Sequence, residues 1–381
     1  MTAIQTRPRK APRAGPARRG ISRSYVLLFA VIVVLNLIGS VMVLSASSVT
    51  ALHKHGSSWY VFKKQLMWQG LGVVVLVLTL RIHYRYWRRL ALPLLVVSVG
   101  MLFAVLIPGV GVTVNGSSRW LGAGGFSIQP AELAKLAVLL FAADLLARRA
   151  EWIDDTGVTL RPVMVVLGVV ALLLLAQPNL GTTIVLAAIV FGVLFVAGTP
   201  MAPLTAWGVG GASLALLLSV TKPYRRARLF AFLHPWEDPL NKGYQTIQSQ
   251  VSLASGGWFG VGLGASRAKW GFLPFAYTDF IFAIVGEELG LIGALLVVGL
   301  FAALGYLGIR TAMRAPDRFG QLVAAGVTTW FCVQAVVNIG AVIGALPITG
   351  VPLPFISFGG SSLLATMAAS GILLNVARHA N

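Results

Sequence analysis

Long apolar runs, separated by short polar segments, follow one another along nearly the whole chain. A helix that crosses a bilayer needs roughly 17–25 such residues. The runs lack strict alternation of apolar and polar residues, which argues against a β-barrel. The pattern therefore predicts an all-α polytopic membrane protein with about ten transmembrane helices. The predicted spans are residues 25–45, 63–80, 90–107, 131–147, 162–177, 181–198, 203–221, 280–309, 321–344 and 359–377.

Two segments differ from this pattern. Residues 1–22 are rich in Arg, Pro and Ala and are expected to form a disordered basic arm. The apolar run that follows is too long for a signal peptide, so we interpret it as a retained helix. Residues 23–378 are expected to form one integral membrane domain. Within it, residues 222–279 are expected to be a large extracytoplasmic loop between helices seven and eight.

Charge refines the topology. Only 11% of the residues are charged, and the net charge is +19. Seven of the 30 Lys and Arg residues lie in the first 23 residues, and most others flank apolar runs, as topology determinants do. This distribution argues against nucleic-acid binding and predicts that both termini are cytoplasmic. The single cysteine, Cys332, cannot form an internal disulfide.

The predicted outer loop is unusually basic. Two interpretations remain open: contact with solvent and anionic lipid headgroups, or a site for an anionic substrate such as a phosphate or pyrophosphate. Residues 245–254, with apolar positions between polar ones, predict a short helix lying on the membrane. The cations of the loop are Lys222, Arg225, Arg226, Arg228, Lys242, Arg267 and Lys269.

Asp279 is the strongest candidate for chemistry, because it lies where the loop enters the eighth span and the chain has only 11 acidic residues. An ionisable group at this depth usually pairs, lines a cavity or reacts. A general base is one interpretation. The alternative is a helix cap at Thr278 or Asp279. Glu287 and Glu288 point in other directions on a regular helix and are expected to form structural pairs inside the bundle.

Two further polar clusters interrupt apolar sequence. Glu132 and Lys135, which follow Gln129-Pro130, share one helix face. They either neutralise each other, or Lys135 faces an outward cavity and contacts a phosphate. Gly359-Gly360-Ser361-Ser362 opens the last span and predicts either an anion site or close helix packing. Histidines such as His53 and His55 give only a weak metal signal.

Seven motifs stand out along the chain: Arg119-Trp, Gln129-Pro-Ala-Glu132 with Lys135, Gly243-Tyr-Gln with Gln250 and Ser255-Gly-Gly, Gly262-Leu-Gly-Ala-Ser-Arg267-Ala-Lys269, Thr278-Asp-Phe-Ile-Phe-Ala, Gly286-Glu-Glu-Leu-Gly, and Pro354-Phe-Ile-Ser-Phe-Gly-Gly-Ser-Ser. Taken together, these motifs resemble the SEDS family of cell-wall proteins over residues 25–377, and its division branch more than its elongation branch.

The resemblance implies a peptidoglycan glycosyltransferase that polymerises lipid II, an undecaprenyl-pyrophosphate disaccharide peptide, at the outer face of the bacterial cytoplasmic membrane. Asp279 matches the essential aspartate of the family and is the implied general base, with lipid pyrophosphate as the leaving group. The expected substrate-binding residues are Arg119, Gln129, Glu132, Lys135, Arg267, Lys269, Ser361 and Ser362.

The resemblance also implies partners: a class B penicillin-binding protein, which is a transpeptidase, and divisome membrane proteins at the division septum. A divalent cation, Mg²⁺ or Mn²⁺, could assist the pyrophosphate. No residue cluster in the sequence identifies a metal site.

The sequence departs from the family at two places. Pro274-Phe275-Ala276-Tyr277 has two aromatic residues where the family commonly has a carboxylate and an imidazole, and Asn179 replaces an aspartate. Two other functions remain in competition: a lipid II flippase, which ten spans with broken helices would suit, and a non-catalytic divisome scaffold.

Overall fold

A computed structural model describes residues 22–114, 117–123, 126–221, 226 and 230–380. Eleven helices are numbered here in chain order. They are α1 (Arg23–His55), α2 (Tyr60–Arg81), α3 (Trp87–Leu106), α4 (Pro130–Arg148), α5 (Leu160–Ala176), α6 (Leu180–Ala197), α7 (Met201–Thr221), α8 (Tyr244–Gly256), α9 (Ile281–Met313), α10 (Arg318–Val342) and α11 (Gly360–His379). Short 3₁₀ turns lie at Tyr84–Tyr86, Ala150–Trp152, Pro235–Glu237 and Ala268–Trp270.

Each of the ten predicted spans corresponds to a helix, and the chain is a polytopic helical membrane protein. Seven of the described helices are long and apolar enough to cross a membrane by length and composition alone: α1, α2, α3, α6, α9, α10 and α11. The largest difference is α1, which continues to His55 and not to residue 45. Its 33 residues give a length of about 50 Å, against a hydrocarbon core of about 30 Å.

Two of the sequence predictions fall wholly or partly on residues that are not described. The basic arm, except Ser22, lies outside the described residues, as do Lys222, Arg225 and Arg228 of the outer loop. The predicted short helix is present as α8. One face of α8 packs on the bundle, since Ile247 is buried and the Ser249 hydroxyl donates to the Val342 carbonyl at 2.9 Å.

A small antiparallel sheet between α3 and α4 was not predicted. Its strands, β1 (Val112–Val114), β2 (Ser117–Ala123) and β3 (Phe126–Ile128), pair in the order β1-β2-β3. Val112 pairs with Trp120, and Leu121 pairs with Ile128. The sheet holds the middle strand, with Arg119, against the ends of the helices.

Helix α9 is broken at Gly290, whose φ of 69° and ψ of −169° are not helical. The break frees main-chain groups that a straight helix would pair, and the segment after α8 satisfies them. The Val261 and Gly262 N–H groups donate to the Glu287 and Glu288 carbonyls, and the Leu291 and Ile292 N–H groups donate to the Gly257 and Trp258 carbonyls, at 2.9–3.3 Å. The outer loop is therefore built into the broken helix.

At the other end of the bundle, the segment after α2 joins the start of α10 and the end of α11. The Tyr84 hydroxyl donates to Asp317 at 2.9 Å, and Arg85 pairs with the same carboxylate at 2.7 Å. Asp317 also caps α10 by accepting from the Gly320 N–H at 2.7 Å. Asn375 accepts from the Tyr84 N–H at 2.9 Å. His55 at the end of α1 stacks on Tyr60 at the start of α2, with ring centroids 3.8 Å apart, so α1 begins at the end of the bundle where α2 ends, and α11 ends there too.

The Asp317 contacts predict a pH-dependent contribution to stability. Burial disfavours the ionised carboxyl, but the Gly320 N–H, the Tyr84 hydroxyl and Arg85 outweigh it and hold the pKa of Asp317 below its usual range. Asp317→Ala removes a cap and leaves a buried hydroxyl unpaired, so we expect a loss of about 2 kcal/mol near neutral pH. Thermal unfolding in detergent measures it.

The lowered pKa of Asp317 determines how its contribution to stability changes with pH. The stabilisation by Asp317 is fully present above the unfolded-state pKa of about 3.9 and is lost as the pH falls through the lower folded-state value. The gap between wild type and Asp317→Ala should therefore narrow in acid. Asp154→Ala, at an exposed carboxylate, is the matched control and should unfold like wild type. A gap that stays constant with pH contradicts the assignment.

The contact of α8 with α9 depends on a glycine. A Cβ added at Gly256 would lie 2.0 Å from the Gly286 carbonyl oxygen, which is main chain and cannot swing away. We expect Gly256→Ala to cost about 3 kcal/mol or more. Gly299→Ala, in the same α9 with open space around the site, should be neutral or stabilising by roughly 0.5–1 kcal/mol. Thermal midpoints of the two variants test the contact, and equal midpoints contradict it.

Candidate active site

A cavity of about 450 Å³ opens at the end of the bundle where α2, α4, α9 and α11 begin. This volume lies in the range of small-molecule sites. The charged residues among those that line it are Asp279, Lys64 and Arg119. The other lining residues are Trp68, Ser117, Trp120, Ser127, Gln129, Gln245, Phe275, Thr278, Phe280, Ile348, Thr349, Gly350, Pro352, Phe358, Gly359, Gly360 and Ser362.

A tight turn before α9 presents Asp279 to the cavity. Phe275 lies in the left-handed region with φ of 59°, and its carbonyl accepts from the N–H groups of Thr278 and Phe280. Strain of this kind persists where the surroundings hold the turn. The N-cap of α9 is Phe280. The alternative interpretation, in which Thr278 or Asp279 caps this helix, is therefore wrong. The Asp279 carboxylate instead lines the cavity, with Oδ2 beside Gly350.

Three consecutive carbonyls fix the backbone at Asp279. The Tyr277 carbonyl accepts from the Phe358 N–H at 3.0 Å. The Thr278 carbonyl accepts from the Ser357 hydroxyl at 2.6 Å. The Asp279 carbonyl accepts from the Asn338 side-chain amide at 2.7 Å. Because the three donors come from α10 and from the segment before α11, the position of the carboxylate is set by tertiary structure.

The irregular segment between α10 and α11, residues 343–359, forms one wall. Two amides of α10, one turn apart, hold it: Gln334 donates to the Pro352 carbonyl and Asn338 to the Val351 carbonyl, each at 2.8 Å. Glycines let helices approach it closely. A Cβ at Gly39 of α1 would lie 2.4 Å from the Phe355 carbonyl oxygen. This agrees with the rule that irregular backbone at membrane depth is buried in protein or lines a cavity.

Arg119 reaches the cavity from β2. Its guanidinium donates to the Gln177 carbonyl at 3.0 Å and to the Pro178 carbonyl at 2.5 Å, at the polar break between α5 and α6. The carbonyl end of a helix attracts a cation. Main-chain oxygens thus hold Arg119, and Asn179 beside them need not be charged. Arg119 can therefore keep its position with asparagine instead of aspartate at residue 179.

The start of α11 also faces the cavity. Gly359, Gly360 and Ser362 line it, and helix N-termini attract anions. Gly360 has a packing role as well, because an added Cβ would lie 2.2 Å from the Trp68 ring. Ser361 points away: it accepts from the Gln129 N–H at 3.0 Å and donates to the Ser127 carbonyl at 3.3 Å.

Glu132 and Lys135 do not line the cavity, which corrects the expected phosphate contact. The Lys135 ammonium lies 2.9 Å from the Glu132 carboxylate and 2.8 Å from the Gln334 amide oxygen, over the Trp330 ring. With 1% exposure, Lys135 is enclosed by α4 and α10. The structure shows the mutually neutralised pair, because an unpaired charge at this depth would be costly.

Arg267 and Lys269 are also away from the cavity, in contrast to the expectation. Lys269 is buried 3.5 Å from Glu288, which accepts from the Ser45 hydroxyl at 2.6 Å. Glu287 accepts from the Arg267 main-chain N–H at 2.8 Å. The two glutamates thus pair with the outer loop and α1. Their predicted structural role agrees with this geometry, although α9, to which they belong, is broken two residues later at Gly290.

The aromatic departures lie beside Asp279. Phe275 lines the cavity, and Tyr277 packs edge-on against Phe358 with ring centroids 5.8 Å apart. Burial raises the pKa of the Tyr277 phenol, so this group is neutral near pH 7. The charged residues that line the cavity, within the described part of the chain, are Asp279 and the cations Lys64 and Arg119.

Sequence reasoning missed two residues of the site, Lys64 and Trp68, whereas Gln245 belongs to the Gly243-Tyr-Gln motif. Lys64 and Trp68 are four residues apart on one face of α2. That spacing could have indicated Lys64 as a site residue, but the sequence offers the adjacent Lys63 as an equally good candidate. In the structure Lys63 is exposed and is not among the lining residues.

Comparison with known proteins supports the motifs. Stage V sporulation protein E of Bacillus subtilis (strain 168) is 42% identical over 354 residues, which cover 93% of this chain and 97% of that protein. A probable peptidoglycan glycosyltransferase FtsW of Geobacter metallireducens is 42% identical over 356 residues, which cover 93% of this chain and 95% of that protein.

Solved structures agree with these relatives. A chain of a peptidoglycan synthase complex, studied for its coordination of polymerization and crosslinking, matches with a TM-score of 0.74 and 32% identity over 94% of this chain and 98% of that chain. The rod shape determining protein RodA of Thermus thermophilus matches with a TM-score of 0.69 and 29% identity, over 95% of this chain and 98% of that one. A model of the cell cycle protein family that includes FtsW, RodA and SpoVE matches residues 25–381, and the chain belongs to this family.

Proposed function

We propose that this protein is a peptidoglycan glycosyltransferase that polymerises lipid II at the outer face of the cytoplasmic membrane. The observation that carries the proposal is the cavity in which one carboxylate, Asp279, faces two cations, Lys64 and Arg119. A single base and an anion site are the groups that an inverting transfer from a sugar pyrophosphate needs. The names of the FtsW relatives support the same class of reaction.

In the proposed reaction, Asp279 is the general base. Its carboxylate takes the proton from the 4-hydroxyl of the acceptor N-acetylglucosamine as that oxygen attacks the anomeric carbon of the donor N-acetylmuramic acid. The bond between the anomeric carbon and the pyrophosphate oxygen breaks, and its electron pair leaves with the lipid pyrophosphate. Attack opposite the leaving group inverts the anomeric centre. The three carbonyl contacts before α9 keep the base in place.

The leaving pyrophosphate needs positive charge, and Lys64, Arg119 and the N-terminus of α11 supply it. A divalent cation would find one carboxylate among the lining residues, flanked by two cations. This donor set fits a resident metal poorly, so no step of the proposed reaction is routed through one.

The proposal extends to place and partner. Both chain ends described here lie opposite the cavity, so an outward-facing cavity places the termini in the cytoplasm. The match to a chain of a peptidoglycan synthase complex supports a transpeptidase of the penicillin-binding class as partner. We assign the protein to the division septum, with divisome membrane proteins, because FtsW relatives are 42% identical to this chain, whereas the RodA structure is 29% identical.

A flippase is the second candidate, favoured by the break of α9 at Gly290, since transporters use broken helices. However, the loop after α8 satisfies the freed main-chain groups, and the cavity opens at one end of the bundle. Translocation of lipid II across vesicles, measured with wild type and Asp279→Asn, separates the candidates: a flippase need not lose transport with the carboxylate.

Asp279→Asn tests the assigned base. The amide keeps the shape of the side chain but cannot accept the proton, so we expect kcat for lipid II polymerisation to fall by about 10²–10⁴-fold. Thermal unfolding should be unchanged. Asp238→Asn, the same substitution in the outer loop away from the cavity, is the control and should retain full activity. Undiminished polymerisation by folded Asp279→Asn would remove the proposed role.

Lys64→Met tests the anion site. Loss of a charged contact to pyrophosphate should lower kcat/KM for lipid II by about 10- to 100-fold. Lys63→Met removes the same charge from the neighbouring residue, which points to solvent, and should have little effect. Steady-state kinetics of both variants measure the difference. An equal loss in both would show that only the overall positive field matters and would contradict a Lys64 contact.

A further inference from the structure

A second, much smaller cavity lies behind Asp279. Its volume is about 10 Å³, and Asp279 lines both this cavity and the large one. The other lining residues are Phe280, Asn338, Ala341, Val342, Ile348, Thr349, Gly350 and Val351. A volume of roughly 10–15 Å³ holds a single water molecule. Asp279 is one of five residues that line both cavities, with Phe280, Ile348, Thr349 and Gly350, so a substrate-sized space and a water-sized one adjoin at Asp279.

Asn338 is the polar side chain of α10 at this small cavity. It is 2% exposed, and its amide nitrogen donates to the Asp279 carbonyl at 2.7 Å and to the Val351 carbonyl at 2.8 Å. Its amide oxygen, Oδ1, is buried and accepts no hydrogen bond from any protein group in the described part of the chain. An acceptor buried without a donor is costly, and a bound water is the usual remedy.

We propose that Asn338 is a positioning residue for Asp279: its nitrogen fixes the main chain, and its oxygen holds a water molecule that donates to the Asp279 carboxylate. Asn338 and Asp279 both line the small cavity, and a water molecule has two O–H groups, so in the proposed arrangement one is donated to Asn338 Oδ1 and the other to the Asp279 carboxylate. An amide oxygen does not take up a proton near neutral pH. The water must therefore donate one O–H to Asn338, which orients the other toward Asp279.

This arrangement suits a general base, and the inference rests on the proposed function of Asp279. A hydrogen bond to an ionised carboxylate is stronger than one to a neutral carboxyl group, so the water favours the form that can accept a proton. In the proposed arrangement the water lies in the small cavity, which α10 lines through Asn338, Ala341 and Val342. The charged residues that line the cavities with Asp279 are Lys64 of α2 and Arg119 of β2; the lining residues from β3, α8, α10, α11 and the segment before α11 are uncharged.

The test is the pH profile of kcat for lipid II polymerisation by the full-length protein. Asn338→Leu removes the amide oxygen at similar size, so the acidic limb of the profile should move up by about one to two pH units, the size of one lost hydrogen bond to a charged group. KM should change by less than kcat. If Asn338→Leu does not fold, Asn338→Ala, which adds no bulk, takes its place with the same expected shift.

Asn375→Leu is the matched control. Asn375 is also a 2% exposed amide that holds main-chain groups, with its nitrogen on the Leu80 carbonyl and its oxygen accepting from the Tyr84 N–H, but it lies at the opposite end of the bundle. A purely structural loss would lower thermal stability in both variants without moving the pH profile. An unshifted acidic limb in the folded Asn338 variant overturns the inference.

The experiment separates this inference from the proposed function. If Asp279→Asn is inactive while Asn338→Leu keeps the wild-type pH profile, the general-base role of Asp279 is supported and the positioning role of Asn338 is rejected. If Asp279→Asn is fully active, the proposed function falls, and the inference falls with it. A shifted limb in Asn338→Leu, with inactive Asp279→Asn and an unshifted Asn375→Leu, supports both.

Discussion

Wherever a helix stops within this bundle, protein groups must take over the hydrogen bonds that water would otherwise make. The structure meets this constraint three times. At the break between α5 and α6, Arg119 donates to the free carbonyls. At Gly290, the segment after α8 supplies the missing partners. At the segment before α11, the side-chain amides of Gln334 and Asn338 do so. Two of these three solutions also build the cavity, since Arg119 lines one wall and the α10 amides hold another. The site thus arises where the backbone is least regular.

Buried charges are subject to the same constraint as buried main-chain groups. Burial of an ion is tolerated when a partner and further hydrogen bonds accompany it. Lys135 and Lys269 each lie beside a glutamate and are withdrawn from solvent. The charges that remain at the cavity are Asp279, Lys64 and Arg119. Of the basic residues in the described ranges, two therefore line the space beside the candidate base.

The ten helices that match predicted spans could be predicted from the sequence because each contains a long apolar run, and α8 could be predicted from apolar positions spaced between polar ones. The sheet could not, because strands of three residues such as Val112–Val114 have no distinctive pattern. Asp279 could be found because a carboxylate beside an apolar span is unusual. The pairing of Glu132 with Lys135 followed from spacing, but their burial depends on Gln334, nearly 200 residues later in the chain. Lys64 could not be chosen over Lys63 without knowing which face of α2 packs inward.

The break in α9 constrains how the outer loop can vary among relatives. All four hydrogen bonds across it join main chain to main chain, so they place no demand on the side chains of Trp258 or Val261. The spacing of the donors and acceptors, in contrast, is set by the geometry of Gly290. Substitutions of Trp258, Phe259 and Val261 leave these main-chain bonds in place, whereas one inserted or deleted residue would put every bond out of register. Gly260 is fixed as well, because an added Cβ would lie 2.1 Å from the Glu288 carbonyl oxygen.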